Sequence, residues 1–436
     1  MSEGERNWAG NHTFGAARVH RPETVGQVRE LVAAGSWVRA LGARHSFNDI
    51  ADTPGDLISL ERLNRIVALD TSRRTVTVEA GIRYGELGRA LNEAGFALHN
   101  TASLPHISVA GACATATHGS GDGNGNLATA VASLDVVTAG GDVVTLSRER
   151  DGERFRGAVV GLGALGVVTQ VTLDVVPAFQ VRQAVYEDLL LDQMEAHFDV
   201  ITASGYSVSL FTDWSGPRIN QVWVKRRVAD RDDRDAAGER GAGDAREARE
   251  AREFFGARPA TVKRHPIVSL PAEPCTEQLG IPGPWHERLP HFRMEYVPSS
   301  GAELQSEYFV PRQHALEAFR AIYGLRDQIV PLLQMSEVRT IAADDLWMST
   351  CYQRHSVAFH FTWVLDWPAV AALLPLIEER LAPFDARPHW GKLFTMSPAR
   401  LGALSPRLGE FRALARELDP AGKFRNGFLE RYLRWE

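Results

Sequence analysis

Leu41-Gly-Ala-Arg-His-Ser-Phe-Asn48 is a tight turn built around a histidine. A strand-like run, Trp37 to Leu41, leads into it, and a helical pattern from Pro22 to Ala34 comes before that. Gly42 lets the chain bend sharply and lets a bulky ligand approach the backbone. His45 then stands at the mouth of the turn, with Ser46 and Asn48 beside it as hydrogen-bonding groups. A histidine so placed serves as base, ligand or covalent anchor, or is simply a solvated loop residue; the turn alone does not decide.

Outward from this turn, residues 1–175 alternate short helices and strands. Apolar residues Val25, Val28, Leu31 and Val32 make a helical stripe. Leu57 to Leu60 and Ile66 to Leu69 read as buried strands, and Arg74 to Glu79 as a half-buried one ended by Gly81. Tyr84 to Ala94 reads as an amphipathic helix with Leu87 and Leu91 on one face, and Gly140-Gly141 marks a hairpin between Val131–Val137 and Val143–Leu146. Gly161-Leu-Gly-Ala-Leu-Gly166 has the spelling of a dinucleotide fingerprint, but a helix precedes it and the strand Val167 to Leu173 follows. That order is the reverse of what a nicotinamide-binding Rossmann turn requires.

Ser108 to Gly121 is nearly all small side chains. Such a stretch lets backbone N–H groups converge on an anion, with Ser108, Thr115, Thr117 and Ser120 adding hydroxyls; a diphosphate is the natural partner. A lysine of the P-loop type is missing, which disfavours nucleotide hydrolysis.

At 436 residues two domains are expected, and the net charge of −6 argues against a general nucleic-acid binder. The three cysteines lie far apart, without a CxxC pair or disulfide framework, and no metal site is expected. No signal peptide or membrane span is read in the sequence, so a cytoplasmic protein, monomeric by default, is expected. Beyond residue 180 longer alternating strands appear; Arg226 to Glu253 is a charged insertion, its Asp244–Glu253 half compatible with an exposed helix. His314 to Tyr323, Ala369 to Leu381 (with a possible kink at Pro375) and Pro406 to Leu418 read as helices. In Ser336 to Thr340, period two puts Glu337 and Arg339 on one face; His360 and Thr362 likewise share a face opposite Phe359, Phe361 and Trp363. On composition alone this could equally be the solvated side of an antiparallel sheet.

The GxxHS turn together with Leu104-Pro-His-Ile-Ser-Val-Ala-Gly111 and Thr117-His-Gly-Ser-Gly121 resembles the vanillyl-alcohol-oxidase type of FAD flavoproteins, and within it the alditol oxidase (xylitol/sorbitol oxidase) group. Further blocks in order carry the likeness: Asn7–Asn11, Ala102–His106, Ser207–Trp214, Gly283–Phe292, Glu303–Tyr308, His360–Trp363, Arg387–Lys392 and Pro420–Phe424. The resemblance implies an α+β fold: a two-subdomain FAD-binding domain over residues 1–180, then a substrate domain over 181–385 with a mainly antiparallel sheet flanked by helices. A segment from 386 to 436 would return to the flavin domain.

It further implies FAD lined by Leu41, Gly42, Ala43, Arg44, His45, Ser46, Ser103, Ser108, Gly111, Thr115, Ala116, Thr117, His118, Val168 and His389, with the flavin 8α-methyl joined to His45. Arg44 departs from the small residues common before that histidine; it either crowds the turn or sets a cation near the flavin. A polyol would be met by Ser103, Glu337, Arg339, His360, Thr362 and Lys392. Among these Lys392, Arg339 and His360 would be catalytic, with His360 or a deprotonated Lys392 as the base. The implied reaction turns a terminal alditol alcohol into an aldose and dioxygen into hydrogen peroxide. Ala102, beside the flavin, bears on dioxygen access. An aldonolactone oxidase or dehydrogenase is the alternative enzyme; a flavin-storing protein and a partner-binding scaffold are the non-enzymatic ones.

Overall fold

Thr24 accepts the backbone N–H of Gln27 at 3.2 Å and starts the helix Val25–Ala34, which turns Val28 and Val32 inward. The structure is a computed structural model that describes residues 5–228, 254–297 and 299–435. The chain then enters strand Val38–Leu41, which pairs in parallel with Asp56–Ser59, itself parallel to Arg18–His20. Five antiparallel strands form a second sheet in the order Ile66–Asp70, Thr75–Glu79, Val167–Asp174, Val131–Val137, Val143–Ser147. Ile66–Asp70 is a strand but not a buried one: it is an edge with one neighbour, and Ile66 and Val67 face solvent. The helix Arg148–Val159 enters the turn at Gly161–Gly166 and strand Val167–Asp174 leaves it, the order that excludes a Rossmann turn.

The third sheet is antiparallel and large. Its order runs Arg258–Pro259, Gln180–Leu190, Arg218–Arg227, Ser207–Thr212, Leu333–Ile341, Ser356–Trp363, Leu304–Pro311, Arg387–Pro388. One face is apolar. Phe361 and Trp363 stack at 4.9 Å, and Trp214 bridges Phe361 to Phe319 of the helix Ala315–Tyr323. In that helix Phe319 and Ile322 are buried while Leu316 is only partly so. The helix Trp367–Leu381 passes through Pro375 without a break.

After helix Leu408–Leu418 the chain comes back to its beginning. Asn426 Nδ2 donates to the carbonyls of Asp49, Ile50 and Asp52, and Lys423 Nζ to those of Val32 and Ala139. Arg39, buried, joins the same region: its guanidinium donates to the carbonyls of Gly163, Phe424, Leu162 and Ile50. One cation thus ties the glycine turn, the first sheet and the C-terminal segment together, and the carbonyls of Phe424, Leu162 and Ile50 that it meets are buried and would be costly to leave unpaired. The insertion's candidate helix, Asp244–Glu253, lies outside the described residues. Among those described, no helix is long and apolar enough to cross a membrane, and all three cysteines are buried and free.

Candidate active site

A long cavity runs between the two smaller sheets and the polar face of the large one. Its inner part is walled by small residues. A Cβ on Gly42 would sit 2.4 Å from Ser108 Oγ, and one on Gly111 would sit 2.8 Å from the same atom, so a side chain at either position would force Ser108 to shift. Ser108 Oγ accepts the N–H of Ala43 at 3.2 Å, tying the small-residue stretch to the histidine turn. Leu41, Ala43, Arg44, His45, Ser46, Thr115, Thr117, His118 and Val168 also line it, as do Ala102, Ser103 and His389. Gly161, Leu162, Gly163 and Gly166 do so as well, so the turn excluded as a nicotinamide site still contributes wall.

Two of the expected residues stand elsewhere. Ala116, at φ +54° and fully buried, packs into the hydrophobic core and does not line the cavity. Ser120 donates its hydroxyl to the Val208 carbonyl, spending it on a tie to the large sheet. Arg44 takes a left-handed φ of +62° and its guanidinium pairs with Glu5, so its charge is neutralised locally.

His45 fits the role of an anchor. Its Nδ1 is buried without a hydrogen-bond partner, and its ring stacks on Trp8 at 5.2 Å. Burial, with His106, Arg83 and Arg44 nearby, pushes the imidazole down to about 3, so it is neutral and keeps a lone pair at ordinary pH. A buried nitrogen with no hydrogen-bond partner among the described residues, on a turn that lines the cavity, is compatible with holding an aromatic cofactor.

The far wall is a buried array of charge. Cross-strand pairing sets Glu307, His360 and Glu337 side by side on strands Leu304–Pro311, Ser356–Trp363 and Leu333–Ile341. Arg339 lies two residues along from Glu337 and Thr362 two along from His360, on the same face. Arg339 Nη2 donates to Glu307 Oε1 at 2.6 Å and Nη1 to Ser103 Oγ at 3.3 Å. Lys392 Nζ reaches Glu307 Oε2 at 2.7 Å and His360 Nδ1 at 2.8 Å, while His360 Nε2 meets Thr362 Oγ1 at 3.0 Å. A lysine N–H donated to Nδ1 makes Nε2 the protonated nitrogen of His360.

The solvated-sheet alternative is therefore overturned: Glu307, Glu337 and Arg339 are almost wholly buried. Burial alone would raise Glu307, but Lys392, His118 and Arg339 outweigh it and hold the carboxyl well below its usual range. Glu337 is likewise ionised, through Arg339 and His291. Burial lowers Lys392, against the pull of Glu307, and drives His360 and His389 well below the ordinary histidine value.

Three site residues escaped the sequence reading: Glu307, His291 and Gln305, all lining the cavity. What registers the histidine turn on the charged array is also visible only here. Phe47 N–H donates to the Gly391 carbonyl at 2.8 Å, and Asn48 Nδ2 donates to the carbonyls of Trp390 and Lys392, each at 2.8 Å. His389 Nδ1 accepts the Gly391 N–H at 3.0 Å, leaving its Nε2 as the proton-bearing nitrogen.

Comparison with known proteins agrees with this geometry. Residues 16–147 match the family described as FAD binding domain, and residues 302–432 that described as D-arabinono-1,4-lactone oxidase. Cholesterol oxidase from B. sterolicum shares the fold at 15% identity, with a TM-score of 0.75 over 99% of this chain and 96% of that one. An L-gulono-1,4-lactone dehydrogenase of Mycobacterium tuberculosis is 28% identical over 98% of both chains. The alditol oxidase of Streptomyces sp. (strain IKD472 / FERM P-14339) is 52% identical over 98% of this chain and 99% of its own. With such identity running almost end to end, the chain belongs to the alditol oxidase family of FAD-dependent oxidoreductases.

Proposed function

We propose that this protein oxidises the terminal primary alcohol of open-chain alditols such as xylitol and sorbitol to the aldose, reducing dioxygen to hydrogen peroxide. The observation that carries the reading is the set Glu307, Glu337, Arg339, His360 and Lys392 on one wall of the cavity the histidine turn opens into. A bound flavin supplies the two-electron acceptor that takes hydride from the carbinol carbon and passes the electrons to dioxygen. Residues 1–180 would hold it, with a link from His45 Nδ1 to the 8α-methyl carbon; residues 181–385 would hold substrate, and 386–436 bring His389 and Lys392 back to both.

Arg339 and Lys392 grip the C1 hydroxyl and favour the negative charge that develops on its oxygen. Glu337 and His360 hold the C2 hydroxyl, with Thr362 and Ser103 for the next. Of the two candidate bases, geometry favours Lys392. As a neutral amine it still donates one N–H to Glu307 and one to His360, and its lone pair is left for the C1 proton. His360 has no free lone pair while Lys392 holds its Nδ1. The proton so captured makes an ammonium that Glu307 stabilises. Because Lys392 is lowered by burial, the limiting rate of flavin reduction should rise with pH as it loses its proton.

Lactone oxidation is the second reading, favoured by the match of residues 302–432. Peroxide formation with xylitol, sorbitol, glycerol and a galactonolactone, side by side, separates them: turnover confined to the lactone would overturn the alditol reading.

A further inference from the structure

On the same face of the large sheet as Arg339, two strands away, lies a lysine that the mechanism does not use. Lys225, on strand Arg218–Arg227, is 1% exposed and touches no carboxylate among the described residues. Its Nζ reaches three acceptors: the carbonyl of Leu289 at 2.5 Å, that of Pro290 at 3.4 Å and His291 Nδ1 at 2.9 Å. Three acceptors for three ammonium protons satisfy the charged form completely. His291 is wedged edge-on between Phe211 and Trp223, and its backbone N–H donates to the Ser103 carbonyl at 3.0 Å. Its Nε2 stands 2.8 Å from Glu337 Oε1. Lys225, His291 and Glu337 therefore form one hydrogen-bonded line, from a buried cation to the cavity.

We infer that Lys225 is a positioning residue which, through His291, fixes the substrate-facing carboxylate of Glu337 as a hydroxyl acceptor, so that its loss of a proton weakens alditol binding. The inference rests on the alditol reading above. With Lys225 charged, His291 Nδ1 must accept, so Nε2–H is the nitrogen offered to Glu337 and the carboxylate is held in place. As an amine Lys225 has two N–H for three acceptors, so its bond to Nδ1 is no longer obligatory and the imidazole is no longer fastened in the one orientation that offers Nε2–H to Glu337 Oε1.

Charged and titratable groups facing Lys225 are Glu337 and Arg339 on one strand, His291 on the loop above and Cys275. Burial dominates, against Glu337 and with Arg339, and lowers the lysine to about 7. The transition thus falls in the working range: charged below it, neutral above. Cys275 stays a neutral thiol there, raised by burial to about 12.

The test is anaerobic flavin reduction by xylitol from pH 6 to 8.5 in the holoenzyme, separating apparent Kd from limiting rate. Loss of one hydrogen bond to a charged group predicts that the wild-type apparent Kd rises about tenfold across this range. In Lys225→Met the Kd should be high and flat, with flavin content retained. The same comparison with 1,2-butanediol and 1,3-butanediol needs only the wild type: the first should show the rise and the second, lacking the C2 hydroxyl, should not. A wild-type Kd that is flat, a K225M profile parallel to wild type, or a rise with both diols would overturn the inference while leaving the alditol reading intact. Failure of every polyol to reduce the flavin at any pH would remove both.

Discussion

Glu307 is the residue on which the charged wall turns, and Glu307→Gln isolates its role. The carboxylate is 1% exposed and accepts from Arg339 at 2.6 Å and Lys392 at 2.7 Å. Without it, one negative charge faces two cations. Removing one partner of a buried pair costs about 3–5 kcal/mol when the other charge stays. Here one charge can leave. Arginine cannot deprotonate, so the Gln carbonyl stays with Arg339 and the amide N–H₂ turns to Lys392. Lys392 then survives only as an amine whose lone pair accepts from that amide, and it no longer points at the C1 hydroxyl. A general base typically contributes about 10²–10⁴-fold, so the limiting rate of flavin reduction should fall by at least about 100-fold. Stopped-flow reduction under anaerobic conditions, alongside flavin content, measures this. Raising the pH should not restore the rate, because the lone pair is misdirected rather than protonated. A variant that reduces its flavin within about threefold of wild type would refute Lys392 as the base and Glu307 as its holder, since threefold is well under the smallest contribution a base makes.

The His45 link predicts that acid-precipitated wild-type protein stays yellow, whereas His45→Ala releases its colour; complete release from the wild type would remove the covalent bond from the account. Gly81→Ala should fail to fold: the new Cβ would lie 1.9 Å from the Leu60 carbonyl oxygen, a backbone atom that cannot step aside, and soluble yield reads this directly. Acid should destabilise the fold steeply. Burial holds both His265 and His291 down to about 4, so below the ordinary histidine value the unfolded chain binds protons that the folded chain refuses. Stability is complete above pH 6.5 and is lost as pH falls toward 4, by roughly 3 kcal/mol for each histidine. A melting temperature that stays level from pH 7 to 4.5 would contradict it, and His265→Gln should shallow the slope.

Much of this architecture could be read from short-range patterns, because period two and small-residue runs are local. The face shared by Glu337 and Arg339, and that shared by His360 and Thr362, follow from alternation within each strand, and both faces do line the cavity. Alternation failed at the third strand of the wall, Leu304–Pro311: Gln305, Ser306 and Glu307 are three polar residues in a row, so nothing in the pattern marks which of them meet the cavity. Ile66–Leu69 failed the opposite way: its apolar run is that of an inner strand, but its place at the sheet edge leaves it exposed. Lys225 sits at the head of a charged stretch and looks solvated; only its pairing with Gln183 and Ser207 in the middle of the large sheet takes it inside. Register between distant strands is the missing quantity, and it decides the chemistry. Two carboxylates and two cations can be buried together only where each finds an opposite charge or a donor within hydrogen-bonding reach. Pairing three strands and fastening the Trp390–Lys392 loop through Asn48 achieves that. The bonds that make the array tolerable in the core are thus the same ones that aim Lys392, so stability and reactivity at this wall should fail together.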